Sequence, residues 1–178
     1  MPLPKPAAAR LLPCAMAALL ALPAPAAAQW LAVGRWGSEG NFRYVAPGTW
    51  MVLPTETGAE VSADGDNHVT RLTLACEPGA AAARVELTRY FGYTLPRDPA
   101  TQAKFLLVLG DVRMELDATW SDAIEGWVAE DAMGPDTLSL FSWANQITVL
   151  DADEAVLATY RMNGSSAARE ALRRRCGI

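Results

Sequence analysis

The stretch VTRLTLACEPGAAAARVELTRY, residues 69–90, decides the fold of this chain. In its first part Leu72, Leu74 and Cys76 stand at every second position, with Thr73 and Ala75 between them. In its second part Val85 and Leu87 alternate with Arg84, Glu86 and Thr88. Side chains two apart share a face only in an extended chain, so each part is predicted as a half-buried strand. Glu77, Pro78 and Gly79 break the pattern and turn the chain between them, as antiparallel neighbours require.

The same period continues downstream. KFLLVLG (104–110) and DVRMEL (111–116) read as two more strands, joined by a tight hairpin at Gly110-Asp111. Upstream, QWLAVGRW, NFRYV and TWMVLP are shorter candidates separated by turns such as GSEG, and SADGDNH (62–68) reads as a polar turn. The last third changes character. Asp136 is placed to cap a short helix with Leu138, Phe141 and Ala144 inward. NQITVLD and EAVLATYRM read as a hairpin turning at residues 151–154. Gly164 and Ser165 open a final helix in which Arg169 and Arg173 share a solvated face opposite Ala168 and Leu172. Trp120, Ile124 and Trp127 fall at helical spacing; with Trp30, Trp36 and Trp50 they are expected mostly as core. The fold class expected is α+β, mainly antiparallel β: a sandwich-like sheet with a short internal helix and a C-terminal helix.

The first residues read differently. Lys5 and Arg10 precede a 12-residue apolar run at 11–22, and residues 24–28 supply small side chains for a signal peptidase. Residues 1–28 are therefore expected to be a signal peptide cleaved near Ala28, with Ala26 as the alternative site, leaving 29–178 as a single β-rich secreted domain. A transmembrane anchor is disfavoured because the run is too short for a bilayer core of about 30 Å. A lipid-modified Cys14 is disfavoured by Pro13 before it. The Pro- and Ala-rich leader has a bacterial cast, so the expected location is the periplasm or beyond.

Charge limits the partners. The chain has 15 Lys plus Arg against 20 Asp plus Glu, and loss of Lys5 and Arg10 moves the formal charge from −5 to −7. Nucleic-acid binding needs clustered positive charge, so a general role of that kind is excluded. The charge is uneven. Residues 111–154 hold 11 acids and one base, Arg113, whereas residues 161–178 hold five arginines and one acid, Glu170. An acidic surface suits a basic partner and the Arg173–Arg175 run suits an anionic lipid or glycan, but the favoured expectation is that the arginine helix lies beside the acidic strands of its own sheet.

Export also governs the cysteines. After cleavage Cys76 and Cys176 remain, an even pair in an oxidising compartment, and they are predicted to form a structural disulfide. Strand spacing at Cys76 and helical spacing through Ala168, Leu172 and Cys176 point both sulfurs at the core. Closing a loop of about 100 residues stabilises by about 4.7 kcal/mol on the chain-entropy argument. Redox pairs usually sit as CxxC, and two distant cysteines with one His lack a zinc ligand set.

No catalytic, cofactor-binding or metal site emerges. His68 is the only imidazole, no G-x-S-x-G accompanies it, and its setting DGDNH is turn material. Asp64, Asp66 and Asn67 offer oxygen ligands, but the EF-hand loop lacks its closing Glu: Ala75 stands there. Glu115 and Asp117 alternate with Met114 and Leu116, which puts them on the exposed face of a strand.

The strand LTLAC, the strand RVELTRY, a short helix, ITVLD with its hairpin return, and MNGSSAAREALRRRC together resemble small exported bacterial proteins related to the invasion-associated locus B family. Met162, Gly164, Ser165, Ala168 and Leu172 sit near the places of that group's closing helix pattern, and the resemblance covers residues 69–176. It departs from the group at residues 30–68, which lack a tryptophan-then-cysteine opening, and in having no second internal cysteine pair. The resemblance implies a periplasmic or surface β-rich protein without catalytic residues. The expected function is a non-catalytic exported module presenting a rigid surface to an envelope protein or glycan. The alternatives are a small cell-wall hydrolase or glycan-binding protein, with an aromatic cleft and acids between 111 and 136, and an inhibitor of a basic envelope hydrolase such as a lysozyme.

Overall fold

A computed structural model of the chain describes residues 31–35, 41–45, 48–53, 55–89, 95, 102–141 and 143–178. The expected leader with Cys14, and Trp30 and Trp36, lie outside the described residues. Leu31–Arg35 (β1) and Asn41–Val45 (β2) pair as an antiparallel hairpin. Met51–Leu53 (β3), Ala59–Asp64 (β4), Thr70–Cys76 (β5), Ala83–Arg89 (β6), Gln102–Leu109 (β7), Val112–Ser121 (β8), Gly126–Met133 (β9), Gln146–Leu150 (β10) and Val156–Arg161 (β11) form one sheet. Its order is β11-β10-β7-β8-β9-β6-β5-β4-β3, with antiparallel pairing throughout. Two helices, Pro135–Leu140 (α1) and Ser165–Cys176 (α2), complete the α+β, mainly β architecture.

The two layers of a sandwich come here from one sheet that curls until its edges meet. Trp50 N–H donates to Asn163 O at 2.7 Å and its Nε1–H to Arg161 O at 3.1 Å, joining the β3 edge to the end of β11. Asp66 N–H donates to Thr159 O at 2.8 Å, and Asn67 Nδ2 to Leu157 O at 2.7 Å, joining the β4–β5 turn to the same strand. Closure satisfies edge groups that would otherwise be open to another chain. Gly48 makes the approach possible: its φ is +72°, and a Cβ there would lie 2.5 Å from the Cβ of Arg161.

The concave face is the core. Leu72, Leu74, Val61, Leu107, Val149 and Tyr160 are fully or almost fully buried on it, in the alternation expected of β5 and found again along β4, β7, β10 and β11. Each such aliphatic side chain removed from water is worth about 1.5–3 kcal/mol. The Tyr160 hydroxyl meets the Thr70 hydroxyl inside this core, so each of the two buried hydroxyls has a partner.

Several elements differ from the sequence expectation. Residues 62–68 are not all turn: Ser62, Ala63 and Asp64 finish β4, and their polar look arises because the convex face there is also buried. Asp64, 5% exposed, accepts from Arg71 Nε at 2.7 Å, so its buried carboxylate is tolerated by pairing. Trp120 and Trp127 are not on a helix; they face each other across the β8–β9 hairpin. A separation of seven fits both a helix face and a pair straddling a short turn, so spacing alone does not distinguish them. Asp136 does not cap α1. Gly134 is the N-cap, Pro135 takes the first helical position, and Asp136 sits in the first turn.

α2 packs on β3, β4 and β5, with Ala168 and Leu172 fully buried. The arginine helix therefore does not lie beside the acidic strands β8 and β9. Arg173 and Arg174 instead bond to Glu170 of their own helix, at 3.0 and 3.5 Å, and the Arg173 guanidinium holds the Glu170 carboxyl below its ordinary value. Cys176 is bonded to Cys76, their Cα atoms 6.0 Å apart, and Gly79 N–H donates to Cys176 O at 3.0 Å. No helix among the described residues is long and apolar enough to cross a membrane.

Candidate functional site

The interior of the barrel is filled. The space among Leu72, Leu87, Phe105, Leu116, Trp127 and their neighbours measures about 10 Å³, room for one water at most. Among the described residues, an apolar concavity opens at the end of the barrel where β7 starts and the β10–β11 turn stands. It measures about 460 Å³, and Ala103, Phe105, Trp127, Leu157 and Leu95 supply its apolar walls.

Register puts these side chains together. Ala103 and Phe105 lie on the concave face of β7 opposite Ala118 and Leu116, and Trp127 meets Phe105 edge-on with ring centroids 5.7 Å apart. Trp120 stacks edge-on against Trp127 at 5.2 Å from the other side and donates its Nε1–H to Asp122 at 2.9 Å. The aromatic floor is thus held by mutual packing rather than by a ligand.

The rim is acidic and stiff. Asp151 Oδ1 accepts the backbone N–H of Asp153 at 3.0 Å and of Ala155 at 2.8 Å, an Asx arrangement that fixes the β10–β11 turn. Glu154 takes a φ of +60° in that turn and its carboxylate meets Arg113 at 3.5 Å. On the opposite strands, Lys104 Nζ sits 3.4 Å from both Glu115 and Asp117. Asp117 foremost, then Glu115, hold the Lys104 ammonium above its ordinary value. Among the described residues, the charged side chains that line this concavity are Asp151, Asp153 and Lys104, and Glu115 and Glu154 stand beside it. The mouth is left with a net negative field.

The other sequence candidates do not converge on it. His68 lies in the β4–β5 turn with φ +57°, its N–H bonded to Gly65 O at 2.9 Å. Asp64 takes Arg71, Asp66 Oδ2 takes Arg161 at 3.1 Å, and Asn67 Oδ1 accepts Val69 N–H at 3.1 Å, while Asp66 Oδ1 is buried without a hydrogen-bond partner. Among the described residues no cluster of three His, Cys, Asp or Glu stands ready for a metal. Glu115 and Asp117 do face outward from β8, as their alternation predicts, and they pair with Lys104. Of the tryptophans, Trp50 and Trp127 are core, Trp120 is half-buried, and Trp143 is 83% exposed after α1.

Sequence reasoning missed Lys104, Phe105, Leu157 and Asp153 as a group. Each reads alone as ordinary strand or turn, and only the long-range pairing of β10 with β7 brings the β10–β11 turn beside the start of β7. No family model, curated protein or solved structure matches this chain.

Proposed function

We propose that this protein is a non-catalytic exported module that docks an envelope macromolecule on a rigid surface, the acid-rimmed mouth of its barrel. The observation behind this reading is the combination of a filled interior with an open, aromatic-floored, negatively framed end. The disulfide supports export, as does the N-terminal pattern of two basic residues, an apolar run and small residues ending at Ala28, and the location that goes with this reading is the periplasm or outside the cell. Kinship with the invasion-associated locus B group belongs to the same proposal and rests on the strand and closing-helix patterns quoted above.

Catalysis is not part of the reading. A glycosidase sets two carboxyl groups on opposing sides of a substrate bond, about 5–10 Å apart. Here Asp151 and Asp153 share one turn, and Asp151 is occupied by backbone amides. The acid excess does favour a narrower form of the docking reading, in which the partner is a basic envelope hydrolase such as a lysozyme. The test uses residues 29–178 offered to peptidoglycan and to a fractionated envelope. The expected result is saturable, salt-sensitive retention of one macromolecule with no soluble product released. Steady product release that disappears in Asp151→Asn would contradict it, and failure to slow a lysozyme at micromolar concentration would remove the narrower form.

A further inference from the structure

We infer that the mouth takes a cationic protein segment in which an Arg or Lys is flanked by an aliphatic or aromatic residue. This rests on the docking reading above and adds the chemistry of the partner. Two features of the site select that chemistry together. The walls are apolar, and about 460 Å³ admits two or three side chains, a volume within the range of specific small sites, about 300–1,000 Å³. The frame is acidic, and the exposed Asp153 carboxylate stands beside this floor.

A long cationic side chain fits both at once. Its aliphatic stem lies along apolar surface while its charged head reaches the rim. Arginine fits best, because its planar, weakly hydrated guanidinium can lie against Phe105 and Leu157 and still donate to a carboxylate. An apolar neighbour in the segment fills the floor that the stem leaves open. Lys104 lines the same concavity and opposes a cationic ligand by its own charge, so it limits affinity rather than supplying it.

The probe is a blocked hexapeptide alternating Leu and Arg, titrated calorimetrically into residues 29–178 of wild type, Asp153→Lys and Lys104→Met, with Ser-for-Leu and Glu-for-Arg peptides as controls. Wild type is expected to bind the Leu/Arg peptide saturably and both controls weakly or not at all. Asp153→Lys should weaken binding about tenfold and Lys104→Met should tighten it about threefold. Opposite signs from two surface changes cannot come from a general loss of folding, and urea midpoints of both variants check that directly. Equal binding by all three proteins would overturn the assignment to this mouth while leaving the docking reading standing. No binding to wild type would overturn the proposal itself, and the envelope-retention experiment then judges the docking reading separately.

Discussion

At the scale of single residues, two positions hold the seam of the barrel. Gly48 is needed both for its left-handed φ and for the missing Cβ that lets the chain pass Arg161. Gly48→Ala should cost about 1–3 kcal/mol, read as a lower urea midpoint with an unchanged slope. Tyr160 is the second position. Burial foremost pushes its phenol above its ordinary value. A raised folded-state value means that stability is intact below the unfolded value of about 10 and falls as pH rises beyond it, at up to about 1.4 kcal/mol per pH unit for one proton. Tyr160→Phe should remove that part of the alkaline fall, at a cost of about 1 kcal/mol for the hydrogen bond to Thr70. An identical pH profile in wild type and variant would mean that the phenol is not sequestered. Neither position was legible beforehand. Gly48 looks like any turn glycine and Tyr160 like any strand aromatic, because both requirements come from a strand more than a hundred residues away or across the barrel.

At the scale of elements, the period-two stretches around 69–90 and 104–116 identified β5, β6, β7 and the first half of β8, and the closing helix began where Gly164 and Ser165 placed it. β4 was hidden because polar residues fill its convex face, and the β8–β9 hairpin because its two tryptophans are seven apart. The bridge between β5 and α2 was legible from cysteine parity and the two spacings, and the Cα atoms stand 6.0 Å apart as a disulfide needs. Cys176→Ser should lower stability by about 2–5 kcal/mol and leave Cys76 open to thiol reagents as the helix frays from the sheet. Finding both thiols already free in mature protein secreted under oxidising conditions would show that α2 is held by Leu172 and Ala168 packing alone.

At the scale of the whole molecule, curling one sheet has two consequences that follow from each other. Among the described residues, apolar side chains fill the inside, and the β10–β11 turn sets Asp151 and Asp153 beside the open end where β7 starts. The acid excess of residues 111–154 was visible in the sequence, but which of those acids stand beside the apolar concavity was not, since that depends on the pairing of β10 with β7. The most direct measurement is amide chemical-shift mapping of isotope-labelled residues 29–178 during titration with the Leu/Arg hexapeptide. The expected shifts cluster at residues 102–105, 117–119 and 151–157 and vanish in Asp153→Lys. Shifts confined to α2 or to β3 and β4, or none at all, would contradict the account.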